Sequence, residues 1–312
     1  MNLKSKFRGS MLGTGVGDAL GRPLEGRPFP CLASGQLPVF DGRYTDDTEM
    51  MIGVAESLIE KEGFDGEHMV KVFMRNYDPT RGYGPGPPAV FRMIMRGEPW
   101  DAASRMLFHG EGSYGNGAAM RVAPVGLLYF DDPETLRRVA YGSSLTTHAH
   151  RLGMEGAALQ AYAVALAVRS KPPKLNPYDF LEELESFTVE DVYRSKLKAA
   201  RRLLGEGAGK RRVVSSLGNS VEAFESVPTA IYSFAANSGS FKDAVVYAVS
   251  LGGDTDTIGA MTGAISGAYH GEEGIPEGWK SKLENGEYIA KLADKLFELK
   301  MRASQPPCKR PA

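Results

Sequence analysis

Residues 250–271 read SLGGDTDTIGAMTGAISGAYHG, and this stretch decides the class of fold. Its apolar run, residues 258–269, is shorter than the ~20 residues that span a bilayer and predicts a buried helix. Within it a glycine recurs at every fourth position, at Gly259, Gly263, Gly267 and Gly271. This spacing places the glycines on one helix face. A face without side chains lets a second helix approach closely, so we predict tight helix–helix packing here.

Helical periodicity continues through most of the chain. Residues 50–59 repeat apolar side chains along one stripe. Asp132-Pro133 is typical of a helix start, and Ser240 resembles an N-cap. Only residues 36–44 could hold a strand or an irregular loop. We therefore predict an all-α protein with a single compact domain over residues 1–302 and a disordered tail over residues 303–312.

Three glycine-rich segments interrupt the helical pattern. They are residues 9–26, residues 81–88 (RGYGPGPP) and residues 109–119 (HGEGSYGNGAA). Because glycine disfavours helix and allows close approach to a ligand, we predict loops in all three. Residues 206–212 are predicted to form a flexible surface turn.

Composition and charge exclude several classes of protein. Lys and Arg number 37 against 38 Asp and Glu, a balance that argues against a dedicated duplex nucleic-acid binder. Two cysteines cannot build a disulfide framework or a cysteine-rich zinc site. No apolar run is long enough to span a membrane, and the N-terminus is a poor signal peptide. The expected location is intracellular and cytoplasmic, with nucleus or mitochondria as alternatives in a eukaryote, and no membrane or nucleic-acid partner is expected.

Two acidic clusters lie where helices are predicted to begin. Residues 44–49 read YTDDTE and residues 252–257 read GGDTDT. N-capping is one explanation, because Asp and Thr are favoured caps. A cap uses one oxygen, however, and each cluster offers two carboxylates that repel each other unless a cation neutralises them. All-oxygen donors favour a hard cation such as Mg²⁺, Mn²⁺ or Ca²⁺.

The loop over residues 110–117 (GEGSYGNG) has the composition of an anion-binding nest. Tyr114 and the nearby Phe108 could stack on a base. A plain surface loop is the alternative explanation. His148 and His150 could be helix-end capping groups rather than catalytic groups.

Five motifs together resemble the ADP-ribosylglycohydrolase family. They are YTDDTEM, GSYGNGAAMRVAP, LTTHAH, FESVPTAIY and the stretch that opens this section. The likeness covers roughly residues 5–300. GSYGNG and FESVPTAIY are most similar to the branch that cleaves serine-linked ADP-ribose and poly(ADP-ribose). The stiffened loop with Pro85, Pro87 and Pro88, and His150 in place of a small residue, depart from the pattern.

The resemblance implies an all-α orthogonal fold with a cleft that holds two Mg²⁺ ions, for which Mn²⁺ can substitute. The implied metal ligands are Glu25, Thr45, Asp46, Asp47, Asp254, Asp256 and Thr257. The implied substrate-binding residues are Gly82, Gly84, Gly86, Phe108, Gly112, Ser113, Tyr114, Gly115, Asn116, His148 and Ile231. In this assignment residues 112–116 hold the diphosphate, and Phe108 and Tyr114 hold the adenosine. Glu25 is the implied catalytic carboxylate.

The resemblance further implies a Mg²⁺-dependent hydrolase, expected to act as a monomer. It would cleave the O-glycosidic bond at ribose C1″ of ADP-ribose attached to serine, in poly(ADP-ribose) or in O-acetyl-ADP-ribose. Its partners would be ADP-ribose and ADP-ribosylated proteins or polymer. The alternatives are an arginine-linkage hydrolase of the same family, a non-catalytic ADP-ribose-binding protein and a binuclear-metal phosphoesterase that cuts the pyrophosphate.

Overall fold

Sixteen α-helices make up most of the regular structure in a computed structural model that describes residues 2–29, 32, 37 and 39–303. The helices are α1 (Leu3–Gly21), α2 (Asp46–Glu60), α3 (Gly66–Asn76), α4 (Gly86–Met95), α5 (Trp100–Ala103), α6 (Ala123–Leu128), α7 (Pro133–Leu145), α8 (Arg151–Arg169), α9 (Pro177–Phe187), α10 (Asp191–Glu206), α11 (Lys210–Leu217), α12 (Ala223–Ala236), α13 (Phe241–Val249), α14 (Thr255–His270), α15 (Glu277–Lys280) and α16 (Gly286–Ala303). No strand occurs in these described ranges, where β-pairing is limited to one bridge between Gly115 and Glu222. The predicted all-α class is confirmed.

Helices α1 and α14 form the closest pair in the molecule and lie side by side over their full lengths. Each glycine of the α14 face meets a glycine of α1. A Cβ atom added to Gly13 would lie 2.3 Å from the carbonyl oxygen of Gly263, and one added to Gly17 would lie 2.0 Å from that of Gly259. The prediction that the glycine face of α14 packs against another helix is confirmed, and α1 is that helix.

The prediction of a loop over residues 9–26 is wrong, because most of this segment is helix α1. Glycine in a helix interior costs about 1 kcal/mol relative to alanine, and this cost argued against a helix. The glycines of α1 recur with the same four-residue spacing as those of α14. Burial of both helices along a shared backbone contact therefore outweighs the weak intrinsic propensity.

The start of α2 agrees with its predicted position. Thr45 is the N-cap and its hydroxyl accepts a hydrogen bond from the Asp47 backbone N–H. Met50, Met51 and Val54 are buried against the rest of the core. Two other predicted caps are confirmed, since the side chains of Asp132 and Ser240 accept from backbone N–H groups of α7 and α13.

The remaining predicted loops are partly correct. Residues 109–119 are irregular apart from two short 3₁₀ turns, Phe108–Gly110 and Asn116–Ala118. The loop predicted over residues 81–88 ends earlier, because α4 begins at Gly86 and its prolines lie in the first helical turn, where they are tolerated. The surface turn near residue 206 is confined to residues 207–209.

Two further predictions fall partly outside the described residues. Residues 39–44 contain no strand, whereas the prediction for residues 36–44 also covers undescribed positions. Helix α16 extends to Ala303, and the rest of the predicted tail lies outside the described residues. No helix in the described ranges is long and apolar enough to cross a membrane. The helices pack as a single compact domain, with α1 and α14 at its centre.

Candidate metal centre and substrate cleft

A cleft of about 340 Å³ opens where the C-terminal end of α1, the start of α2 and the start of α14 meet. One wall is acidic and consists of Glu25, Asp46, Asp47, Asp254 and Asp256. The other walls are formed by Gly82, Gly84, Pro85, Gly86, Pro87, Phe108, Ser113, Gly115, Asn116, Gly117, Met120, Val221 and Thr257. The two acidic clusters thus lie on one surface, although Asp47 and Thr257 are 210 residues apart in the sequence.

The second acidic cluster lies beside Glu25, which follows the 3₁₀ turn Arg22–Leu24 at the end of α1. One carboxylate oxygen each of Glu25, Asp254 and Asp256 lie within 4.8 Å of one another, a spacing that a metal ion could bridge. Backbone hydrogen bonds hold the two segments together: Gly26 donates to the Gly253 carbonyl at 2.9 Å, and Gly253 donates to the Arg27 carbonyl at 2.8 Å. This pairing fixes Glu25 beside the start of α14.

The first cluster contacts the second through Asp47. One carboxylate oxygen of Asp47 accepts a hydrogen bond from the Thr257 hydroxyl at 3.3 Å. The other oxygen is buried and has no hydrogen-bond partner among the described residues. A buried carboxylate oxygen without a donor is costly, and a bound cation would satisfy it. The residues present therefore fit a hard divalent metal ion.

Crowding and burial disfavour the ionised forms of these carboxyls. Burial raises the pKa of Asp47 well above its usual value, and the neighbouring carboxylates, chiefly Asp18, raise it further. Burial likewise raises the pKa of Asp46 to about 8. The pKa of Glu25 is raised by partial burial and then by the charge of Asp254. Cations in the cleft would reverse this balance and keep the carboxylates ionised.

Asp18 is a site residue that the sequence analysis missed. It is fully buried on α1 and accepts from the backbone N–H groups of Thr45 and Thr48, at 3.0 and 3.1 Å. It also accepts from both threonine hydroxyls, at 3.0 and 2.5 Å. Asp18 therefore joins α1 to the N-terminus of α2 and sets where Asp46 and Asp47 lie. In the sequence, the feature that could have indicated this role is a single acidic residue within a glycine-rich, otherwise apolar segment.

The capping explanation holds for the first cluster and fails for the second. Asp254 occupies the N-cap position of α14, but its side chain caps no backbone N–H there. It accepts instead from the amide nitrogen of Asn116 at 2.5 Å. Asn116 also donates to the Ser226 hydroxyl at 3.0 Å. This contact attaches the glycine-rich loop over residues 110–117 to the acidic cluster.

Phe108 and Tyr114 occupy different positions at the cleft. Phe108 lines it, is 55% exposed, and has a backbone φ of 50°, a strained value for a bulky residue. Tyr114 is 46% exposed and lies outside the cavity lining. Its ring packs edge-on against His150, with centroids 5.4 Å apart, and against Phe224 at 6.0 Å. The two rings thus flank the loop rather than share one pocket.

Four predicted site residues lie behind the cleft surface rather than on it. The Thr45 hydroxyl donates a hydrogen bond to Asp18 and accepts one from the Asp47 backbone N–H. Gly112 packs against the backbone before His150, and Ile231 is fully buried in α12. His148 is buried beneath Gly117, where an added Cβ would lie 2.7 Å from its ring, and burial lowers its pKa to about 3. A neutral His148 supports the loop from below.

Arg81 fixes the loop that borders the cleft on its opposite side, through a pairing with Glu284 that the sequence does not indicate. Its guanidinium donates two 2.8 Å hydrogen bonds to the Glu284 carboxylate and one of 3.0 Å to the Tyr44 carbonyl. Gly82 follows with φ of 93°, and an added Cβ there would lie 3.9 Å from Asp46. The paired Arg81 thus brings the glycine loop over the first acidic cluster.

Comparisons with known proteins agree with this geometry. The ADP-ribosylglycohydrolase family model matches residues 1–306. An ADP-ribosylhydrolase ARH3 from Bos taurus is 39% identical over 95% of this chain and 93% of its own length. An ADP-ribosylarginine hydrolase Tri1 from Serratia proteamaculans is 26% identical, covering 94% and 79%. A solved structure titled "ADP-ribosylglycohydrolase-related protein complex" superposes with a TM-score of 0.70 at 29% identity, covering 96% of this chain and 99% of that one. The protein therefore belongs to the ADP-ribosylglycohydrolase family and is a hydrolase that acts on ADP-ribosyl linkages.

Proposed function

We propose that the protein is a Mg²⁺-dependent ADP-ribosylhydrolase that cleaves the bond between ribose C1″ and an oxygen leaving group. The proposed substrates are ADP-ribosylated serine, poly(ADP-ribose) and O-acetyl-ADP-ribose. One observation carries the proposal: the two acidic clusters and Glu25 line the same cleft as the loop with Ser113, Gly115 and Asn116. An acidic wall facing a glycine-rich loop suits a substrate with a polar ribose at one end and a diphosphate in the middle. The backbone N–H groups of Gly112, Gly115 and Asn116 bond within the protein, so the Ser113 hydroxyl is the proposed donor to the diphosphate.

The acidic wall provides the ligands for two Mg²⁺ ions. Asp46, Asp47, Asp254 and Asp256, with the Thr257 hydroxyl, are the proposed ligands on the cleft surface. Bound divalent cations would neutralise these carboxylates and orient the ribose hydroxyls. Thr45 has its hydroxyl engaged by Asp18, so its proposed part is to position Asp46 and Asp47 rather than to face the cleft.

Glu25 is the proposed acid–base residue. It follows the 3₁₀ turn Arg22–Leu24 and is exposed to the cleft, whereas the aspartates beside it are mostly buried. Its place on the cleft surface allows the protonated carboxyl to deliver a proton to the departing oxygen. The same carboxylate, once ionised, can accept a proton from the attacking water, as oxocarbenium-like hydrolysis requires.

The walls around Glu25 favour a neutral leaving group. An arginine linkage releases a cationic guanidinium, which an acidic or aromatic exit would stabilise. Gly82, Gly84, Pro85, Gly86 and Pro87 line the cleft on that side and carry no charge, and the described acids that line the cavity are Glu25 and the proposed metal-binding aspartates. The lower identity to the arginine hydrolase than to the ARH3 relative points in the same direction. Serine is therefore the preferred acceptor in this proposal.

The test is a rate comparison on peptides of matched sequence that carry ADP-ribose on serine or on arginine, with Mg²⁺ present. We expect release of ADP-ribose from the serine peptide and little from the arginine peptide. Glu25→Gln should slow the reaction ~10²–10⁴-fold. The matched control is Glu98→Gln, an exposed glutamate outside the cleft, which should leave the rate unchanged. A faster rate on the arginine peptide would overturn the linkage assignment.

A further inference from the structure

A second hollow, of about 540 Å³, lies outside the catalytic cleft at the start of helix α11. It is lined by Phe29, Gly209, Lys210, Arg211, Arg212 and Ser215. We call these residues the outer basic patch. The family motifs in the sequence do not include them, and the mechanism above does not use them.

The outer basic patch has a net positive charge. Arg212 forms an ion pair with Glu206, at 3.0 Å. Arg211 is exposed and has no ion pair with any described residue, and its guanidinium carbon lies 5.9 Å from the centre of the Phe29 ring. Lys210 extends over the ring of Tyr247, at 5.3 Å. In the part of the chain that the structure describes, neither Arg211 beside the Phe29 ring nor Lys210 forms an ion pair.

The patch lies close in the chain to Glu25, the proposed acid–base residue. Phe29 follows Glu25 by four residues, a separation of at most ~14 Å even in extended chain. The backbone between them is fixed by hydrogen bonds of Gly26 and Arg27 with Gly253, next to Asp254. Arg27, which is exposed, adds another positive charge along this path. The outer basic patch therefore lies within a short reach of Glu25, with Arg27 between them.

We propose that the outer basic patch binds the leaving ADP-ribose unit of poly(ADP-ribose). The inference rests on the proposed function. In the polymer the departing oxygen belongs to the next ADP-ribose unit, which leaves on the side of Glu25 because Glu25 protonates that oxygen. This unit carries an adenine, which can stack on Phe29, and a pyrophosphate, which Arg211 and Lys210 can pair with. When the substrate is an ADP-ribosylated serine peptide, the departing peptide has neither an adenine nor a pyrophosphate.

Binding of intact polymer tests the proposal without relying on turnover. Fluorescence anisotropy would be measured with labelled poly(ADP-ribose) of defined length and, separately, with monomeric ADP-ribose. The protein is the full chain with Glu25→Gln, with and without Arg211→Glu and Phe29→Ala, and polymer length is checked afterwards. Lys295→Glu on α16 is the matched charge-reversal control, because α16 packs against α1, α2 and α6 rather than α11.

We expect Arg211→Glu to raise the Kd for polymer roughly tenfold and to reduce the slope of log affinity against log salt by about 1 or more. Phe29→Ala should weaken polymer binding without changing the salt slope. The Kd for monomeric ADP-ribose should stay at the parent value in both variants, and Lys295→Glu should change neither ligand's affinity.

Unchanged polymer affinity in Arg211→Glu, or an equal loss for monomer and polymer, overturns the assignment. So does equally tight, equally Arg211-dependent binding of single-stranded RNA with the same number of phosphates, because that marks a general polyanion surface. Failure of the proposed function looks different: the unmodified enzyme would release no ADP-ribose from the serine peptide while polymer binding still depends on Arg211.

Discussion

The close contact between α1 and α14 leaves no room for a methyl group at Gly263, and the cost of adding one can be estimated. A Cβ atom at Gly263 would lie 2.0 Å from the carbonyl oxygen of Gly13, and the obstructing atom is backbone that no rotamer change can move. Ordinary carbon–oxygen contact begins near 3.4 Å, so Gly263→Ala must separate the helices locally by about 1.4 Å. Overpacking of this kind costs ~1–3 kcal/mol, and a rigid backbone obstacle places the cost at the upper end.

The separation should also reach the proposed metal centre, because α1 leads to Glu25 and α14 begins beside Asp254. With an unfolding entropy of ~2.1 cal/mol/K per residue over roughly 300 residues, ~3 kcal/mol corresponds to a fall in Tm of about 5 °C. We expect that fall in Gly263→Ala by thermal melting followed by circular dichroism, together with weaker Mg²⁺ binding by calorimetry. The matched control is Gly205→Ala in α10, where the nearest atom to an added Cβ is a tyrosine hydroxyl at 3.7 Å.

Gly205→Ala should leave Tm unchanged or raise it slightly, since alanine favours helix by up to ~1 kcal/mol. The reasoning is refuted if Gly263→Ala melts within about 2 °C of the parent protein and binds Mg²⁺ equally well. In that case the glycine faces would not set the distance between the two acidic clusters.

Three other predictions concern the cleft. Burial raises the pKa of Asp46 to about 8 and of Asp18 to about 6, so the folded metal-free protein holds protons that the unfolded chain releases near pH 4. The free energy of unfolding should therefore be highest near pH 4–5 and should fall as the pH rises to 8, with ~3 kcal/mol of the fall due to Asp18 alone. Thermal melting in EDTA measures this trend, and added Mg²⁺ should reduce the fall. A Tm that rises over this range would contradict the assignment of crowded, uncompensated carboxylates. Asp18→Asn keeps the side-chain shape but places an amide NH₂ group against N–H and O–H donors of Thr45 and Thr48. It should lower the free energy of unfolding, measured by chemical denaturation, by ~1–3 kcal/mol and should weaken Mg²⁺ binding. The control is Asp132→Asn at the exposed cap of α7, which should change neither. Phe108→Ala removes the exposed ring that lines the cleft and should weaken ADP-ribose binding by ~1–3 kcal/mol in calorimetry with kcat retained. Tyr178→Ala, at an exposed ring outside the cleft, should change neither.

The sequence could predict the parts of the site that are local in the chain. The cap at Thr45 follows from residue types at helix starts, where Asp and Thr are favoured. The acids at the start of α14 were identified because the cluster offers more carboxylate oxygens than a cap uses. The four-residue glycine spacing in α14 correctly implied a close helix neighbour. These features depend on periodicity or capping, which a short window of sequence contains.

The parts that could not be predicted depend on contacts between distant segments. The glycines of α1 argue against helix until α14 is placed beside them. Asp18 looks like an isolated acid until the threonines at the start of α2 supply four donors. Arg81 looks like a charge at the cleft mouth, whereas Glu284, 203 residues away, neutralises it. In each case tertiary partners reverse the local preference.

The central claim is that this cleft hydrolyses a glycosidic bond at ribose C1″. Its most direct test uses an ADP-ribosylated serine peptide, Mg²⁺ and water enriched in ¹⁸O, with products identified by mass spectrometry. Attack at C1″ leaves the serine oxygen in place, so we predict intact ADP-ribose and a serine peptide without ¹⁸O. The same reaction in EDTA should yield neither product. Release of AMP, or ¹⁸O in the serine side chain, would contradict the account.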